Sequence, residues 1–122
     1  MALSDGRLAA CPGKPNCVSS QESGSSFVPP FAFSDSATSA CERLKRIVSS
    51  LPRTRIVAST EKYLHAEVRS RIFRFVDDIE FYVDASAQRV HVRSASRVGY
   101  RDFGVNRARV EAIRVQFALH DE

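Results

Sequence analysis

The stretch Ile79-Glu80-Phe81-Tyr82-Val83, followed by a loop from Asp84 to Gln88 and then by Val90-His91-Val92, decides how this chain folds. Apolar residues recur at every second position on both sides of the loop, which is the period of a pleated strand with one buried face. The loop is short enough to be a hairpin connection, so the two strands are antiparallel. The same period runs upstream through Leu64, Ala66 and Val68 and through Ile56 and Ala58, with Thr60-Glu61-Lys62 as the intervening turn. Four strands follow, and Ile72 to Val76 is expected to extend or bend the second of them.

On either side of the strands the period changes to that of a helix. Ala37, Ala40, Cys41, Leu44, Ile47, Val48 and Leu51 form an apolar stripe opposite Glu42, Arg43, Lys45 and Arg46. Ser34 or Ser36 can cap its start, and Pro52 ends it by denying the preceding residue the helical region. Val110, Ile113 and Phe117 predict a second helix from about Asn106, although Val115, Phe117 and Leu119 also alternate and leave a terminal strand open. The expected fold class is α+β, in the order α-β-β-β-β-α, with a four-stranded antiparallel meander and both helices on one face.

Residues 1–35 hold Pro12, Pro15, Pro29, Pro30 and a serine-rich run from Ser19 to Ser26, which predicts an irregular segment ahead of one α+β domain over 36–122. Phe27, Val28, Phe31 and Phe33 should lay its later part across the core. The first ten residues are the best candidates for disorder.

A chain of 122 residues can bury one core without a staple. No apolar run reaches the roughly 20 residues of a spanning helix. Leu8-Ala9-Ala10-Cys11 has the look of a lipoprotein cleavage site, but Ser4, Asp5 and Gly6 stand where its apolar stretch would be, so a cytoplasmic protein is expected. Three cysteines, an odd count, argue for reduced thiols, with Cys41 in the core. Cys11 and Cys17 are close enough for a disulfide to close, and their spacing is not one that zinc motifs use.

The net charge of +4 rests on fifteen arginines and three lysines, a bias that a GC-rich genome alone can produce. Nucleic-acid binding calls for a dense basic stripe with stacking aromatics, and Trp is absent, which argues against that partner. Phosphate-loop, dinucleotide, zinc-protease and nucleophile-elbow motifs are missing too, so no cofactor is expected.

Several blocks resemble one family. They are Cys11-Pro12 with Pro15-Asn16-Cys17-Val18-Ser19-Ser20, Leu51-Pro52-Arg53, Phe73-Arg74-Phe75-Val76-Asp77-Asp78, and Arg93-Ser94-Ala95-Ser96-Arg97-Val98-Gly99-Tyr100 continuing through Asp102, Gly104, Asn106-Arg107 and Arg109. In this order and spacing they resemble the family catalogued as domain of unknown function 1499. The resemblance supplies no substrate, cofactor or catalytic position.

Candidate chemistry comes from the residues themselves. Arg93, Arg97, Arg101, Arg107 and Arg109 crowd a segment broken by Gly99 and Gly104 ahead of a helix start, where guanidinium groups and free amides can hold a carboxylate or phosphate. Asp102 or Asn106 would cap that helix. The structural counter-reading pairs these arginines with the acidic run Asp77, Asp78, Glu80 and Asp84. Asp77 and Asp78 could serve as an acid–base or metal pair only if a bulge brought them together, and a turn-forming role fits them better. His65 and His91 fall on the outward sheet face with Glu67, Tyr82 and Arg93, two strands apart, where they could share a metal only by both leaning inward across Tyr82, so solvated or cross-strand-paired histidines are the default. Cys17 beside Ser19 and Ser20 is a candidate nucleophile.

The residues favour a non-enzymatic binding or interaction module, with an anion-seeking site built from Arg93, Arg97, Asn106 and Arg107. The alternatives are an enzyme acting on a small anionic substrate through Cys17 or Asp77 and Asp78, and a hydrophobic-ligand carrier lined by Phe27, Phe31 and Phe33. The expected partner is a small anion or another protein, and the expected state is a monomer or weak dimer with no apolar patch outside the proline-rich entry segment.

Overall fold

Ser36 sets the start of the first helix by accepting a hydrogen bond from the Ser39 amide at 3.0 Å, which satisfies one donor that the helix itself cannot. The computed structural model describes residues 5–71, 75–99 and 101–119. In it α1 spans Ala37–Ser49 and α2 spans Val105–Leu119, so the C-terminal alternation belongs to a helix and not to a strand. Asp102 caps α2, its carboxylate accepting from the amides of Gly104 at 2.9 Å and Asn106 at 3.1 Å. The helices meet where the buried Arg43 guanidinium lies 4.0 Å from the centre of the Phe117 ring, with Asp35 closing the ion pair at 2.6 Å.

Between the helices run β3 (Thr54–Ser59), β4 (Tyr63–Arg69), β5 (Val76–Asp84) and β6 (Arg89–Ser96), all antiparallel, as the alternation predicts. Two further strands correct the four-stranded expectation. β1 (Cys17–Ser19) and β2 (Phe31–Ala32) both pair with β6, giving a six-stranded sheet ordered β1-β6-β5-β4-β3 with β2 also on β6. The prolines around these strands hide them in the sequence, because each strand is only two or three residues long and pairs with a partner far along the chain.

Strand alternation separates the two faces. Leu64, Ala66, Ile79, Phe81, Val83, Val90 and Val92 point toward the helices and are all buried. Phe31 and Phe33 join them, Phe31 packing its ring 5.5 Å from Phe117 and 6.0 Å from Phe81. Those two rings fill the core, and Phe27 is partly exposed. Val76, expected to prolong the preceding strand, instead opens β5 opposite Arg69; residues 72–74 lie outside the described residues.

The start of the chain is more ordered than its composition suggests. Residues 1–4 lie outside the described residues, but from Gly6 to Cys11 the chain lies against the polar face of the sheet as a strap. Leu8 is buried, its amide donates to Gln21 Oε1 at 2.8 Å, and Gln21 Nε2 donates to the Gly6 carbonyl at 2.9 Å. Gly6 has φ +74° and would place a Cβ 3.3 Å from Tyr82 Oη, so a side chain here would be strained and would crowd the tyrosine. Cys11 and Cys17 form a disulfide, which corrects the expectation of reduced thiols, while Cys41 is free and buried.

Candidate functional site

The sheet face opposite the helices carries charge where a solvated surface was expected, yet much of it is buried. Glu80 and Asp78 are 0% and 1% exposed, and Arg93 is 5% exposed. Register explains the pairing. Glu80 faces Arg93 directly across β5 and β6, with Arg93 Nη1 3.5 Å from Glu80 Oε1, and Tyr63 donates its hydroxyl to Glu80 Oε2 from the diagonal position on β4. Burial and that bond to Glu80 push the Tyr63 hydroxyl well above its ordinary pKa. Arg93 also donates to the Ala10 carbonyl of the strap at 3.3 Å.

A second network adjoins the first. His65 Nε2 lies 2.7 Å from Asp78 Oδ1, and Arg97 donates to both Asp78 oxygens, at 2.7 and 2.9 Å, and to Glu67 Oε2 at 2.7 Å. Burial pushes the Asp78 carboxyl up, but the Arg97 guanidinium and His65 more than offset it and hold the group below the usual carboxylate range. Arg97 likewise holds Glu67 down. At the other end of the face Tyr82 stacks on His91, whose Nδ1 is 2.9 Å from Ser20 Oγ. Ser20 Oγ also accepts the Val92 amide, so this hydroxyl has a structural duty.

Next to Glu67 the face opens into a depression of about 510 Å³ lined by Arg53, Thr54, Arg55, Glu67, Arg69, Ser70 and Arg71. Its cationic character comes from the mirror symmetry of a hairpin. Arg53-Thr54-Arg55 leads into β3, Arg69-Ser70-Arg71 leaves β4, and antiparallel pairing of Arg55 with Glu67 brings the two tripeptides together. Arg53 and Arg69 lock them, the Arg69 amide donating to the Arg53 carbonyl at 2.9 Å and Arg53 Nε to the Arg69 carbonyl at 3.1 Å. Arg55 and Arg69 reach Glu67 Oε1 only loosely, at 3.4 and 3.6 Å, with their side chains 73% and 45% exposed. Glu67 thus stands as the single carboxylate among the lining residues, already bound to Arg97 from its other side.

The sequence-derived candidates do not converge on one place. Arg93 and Arg97 lie on the strap-covered face. Asn106 lies on the helix side, fully buried, accepting from Ser94 Oγ at 2.6 Å and Arg109 at 2.9 Å and donating to Asp102, Ser96 and the Asn16 carbonyl. Arg107 donates to the carbonyls of Ser25 and Phe27. Asp77 and Asp78 stand within β5, near its start and on opposite faces, Asp77 paired with Arg109 at 2.9 Å and Asp78 with Arg97; the turn-forming role is corrected, since no turn occurs there. The sulfur of Cys17 is bonded to Cys11 and carries no thiol in this state. His65 and His91 are both engaged with partners on their own face. Among the described residues no group of three His, Cys, Asp or Glu side chains could hold a metal ion.

The arginines of the depression are not among the sequence-derived candidates, although two R-x-R tripeptides equidistant from Lys62 are a legible signal for a hairpin with a cationic base. Among the described residues no helix is long and apolar enough to cross a membrane. No curated protein and no solved structure matches the chain. A family model does match it, over residues 7–117, and the chain therefore belongs to the family described as protein of unknown function DUF1499.

Proposed function

We propose that this domain is a binding module whose anion site is the arginine depression at the β3–β4 edge, with Arg97 as the cation that neutralises Glu67 behind it. The observation that supports the reading is the four lining arginines, Arg53, Arg55, Arg69 and Arg71, set against one carboxylate that is itself already paired. Arginine presents a planar fork matched to carboxylate and phosphate oxygens, and two forks on adjacent strands can grip such a group from both sides. The sequence-level idea of an arginine-built anion site is kept, moved from the helix start to the hairpin edge and retaining Arg97.

The ligand class is a small dianion or polyanion, such as phosphate, sulfate or a di- or tricarboxylate. Binding at a hundredfold over the dissociation constant stabilises by about 2.7 kcal/mol, enough to raise a thermal midpoint by several degrees in a domain of this size. The test is a thermal-shift series of these anions on the wild-type chain and on a variant carrying Arg55→Gln and Arg69→Gln. A midpoint rise that the variant lacks supports the site. Equal behaviour of the two proteins removes it.

A further inference from the structure

The arginine depression shares Ser70 with a second, apolar groove of about 400 Å³, whose walls include Phe75, Val98, Gly99 and Val105. Ser70 joins them physically, its amide donating to the Phe75 carbonyl at 2.8 Å and its hydroxyl accepting from the Phe75 amide at 2.9 Å. Around this groove apolar side chains are half exposed: Phe75 and Val98 at 53% each and Val105 at 49%. Phe103, between groove residues Asp102 and Val105 in the chain, is 88% exposed. Its backbone has φ +55°, the left-handed region that a bulky residue seldom occupies. The α2 cap supplies the reason, since Asp102 holds the amides of Gly104 and Asn106 and so turns Phe103 outward.

We infer that this end of the domain docks on an anionic lipid bilayer, Phe103, Val98, Val105 and Phe75 entering the headgroup boundary while Arg71, Arg69, Arg53 and Arg101 meet the lipid phosphates. The inference rests on the anion reading of the depression and gives that site its ligand, a lipid headgroup phosphate. Several half-exposed apolar residues in one patch mark an interaction surface. Charge selects the occupant, because the cationic depression borders the patch and Arg101 lines the groove itself. The nearby carboxylates Asp77 and Asp102 are spent on Arg109 and on the helix cap. A side chain that protrudes as Phe103 does suits a bilayer boundary better than a single amphiphile enclosed in a cavity, and arginine can extend its head to phosphate while its stem stays among apolar groups.

The experiment is co-sedimentation of the full chain with vesicles of equal parts phosphatidylglycerol and phosphatidylcholine, against vesicles of phosphatidylcholine alone, at low salt and at about 0.5 M salt. Binding is expected only to the anionic vesicles and is expected to fall with salt. Arg71→Gln and Arg101→Gln should each weaken it about fivefold. Phe103→Asn, which suits the left-handed backbone and so spares the fold, should weaken it about tenfold. Equal binding to both vesicle types, no binding to either, or a Phe103→Asn chain that binds like wild type each overturns the inference. So does capture of monomeric decyl phosphate by a chain that ignores vesicles. If sulfate still stabilises the chain through Arg55 and Arg69 while vesicles are ignored, the membrane inference alone fails; if both fail, the anion site fails with it.

Discussion

Arg97 and Asp78 are joined by a two-pronged contact, Nε to Oδ2 at 2.7 Å and Nη2 to Oδ1 at 2.9 Å, that fastens the chain just past β6 to β5 near its start. Asp78 is 1% exposed and the Arg97 side chain 45% exposed, so the pair is half in water and its Coulomb attraction is correspondingly screened. Removing the arginine nevertheless strands a buried carboxylate. Arg97→Ala is expected to cost about 2 kcal/mol, most of it from the unpaired Asp78, measurable by urea unfolding. Arg97→Lys should recover less than half, because an ammonium cannot serve both Asp78 oxygens and Glu67.

The same carboxylate contributes to the acid limb of stability. Its folded pKa lies below the unfolded value of about 3.9, so the stabilisation it gives is complete at neutral pH and is lost as pH falls below about 4 through the folded value. His91 acts higher on the scale and in the same direction. Burial lowers its pKa, so below about pH 6.5 the unfolded chain takes up a proton that the folded chain resists. Stability measured against pH should therefore decline in two steps on acidification; His91→Gln should remove the upper step and Asp78→Asn should shrink the lower, to which Glu67, Asp84 and Asp102, also held below the usual carboxylate range, contribute as well.

The strap makes the disulfide a local tie. Cys11 and Cys17 are six residues apart, and a loop that short stabilises by about 2 kcal/mol through the unfolded chain. Besides the disulfide and the buried Leu8, the strap is held by hydrogen bonds to Gln21, Glu22 and Arg93. Replacing both cysteines by serine should raise amide exchange over residues 6–11 by more than tenfold while β5 and α1 keep their protection. Uniform loss of protection across the chain would show instead that the bond supports the whole fold.

On the helix side Asn106 is the polar keystone, fully buried and hydrogen-bonded through both ends of its amide. Asn106→Ala should cost about 3 kcal/mol by leaving Ser94, Asp102 and the Asn16 carbonyl short of partners. Asn106→Asp is expected to do no better, since it replaces a donor by an acceptor facing Asp102.

These contacts show what sequence reading reaches and where it stops. The long alternating runs of β4, β5 and β6 and the stripe of α1 were legible because each repeats one period over enough residues to exclude the other. β1 and β2 were not, since two or three residues between prolines carry no period and their pairing with β6 is a tertiary event. The burial of Glu80 and Arg93 had no local signal either. It depends on the strap, whose attachment through Gly6, Leu8 and Gln21 joins residues whose types say nothing of their pairing. Reading Asp77 and Asp78 as a turn failed because adjacent acidic residues within a strand are rare unless arginines wait on both faces, which Arg97 and Arg109 do here.

Whether anions gather at the β3–β4 edge is measured most directly by an NMR titration of backbone and arginine Nε resonances with phosphate at constant ionic strength. Saturable shifts confined to residues 53–55, 67–71 and Arg97, and absent in the Arg55→Gln, Arg69→Gln chain, are the predicted result. Shifts that never saturate, or that centre on Arg107 and the start of α2, would contradict it.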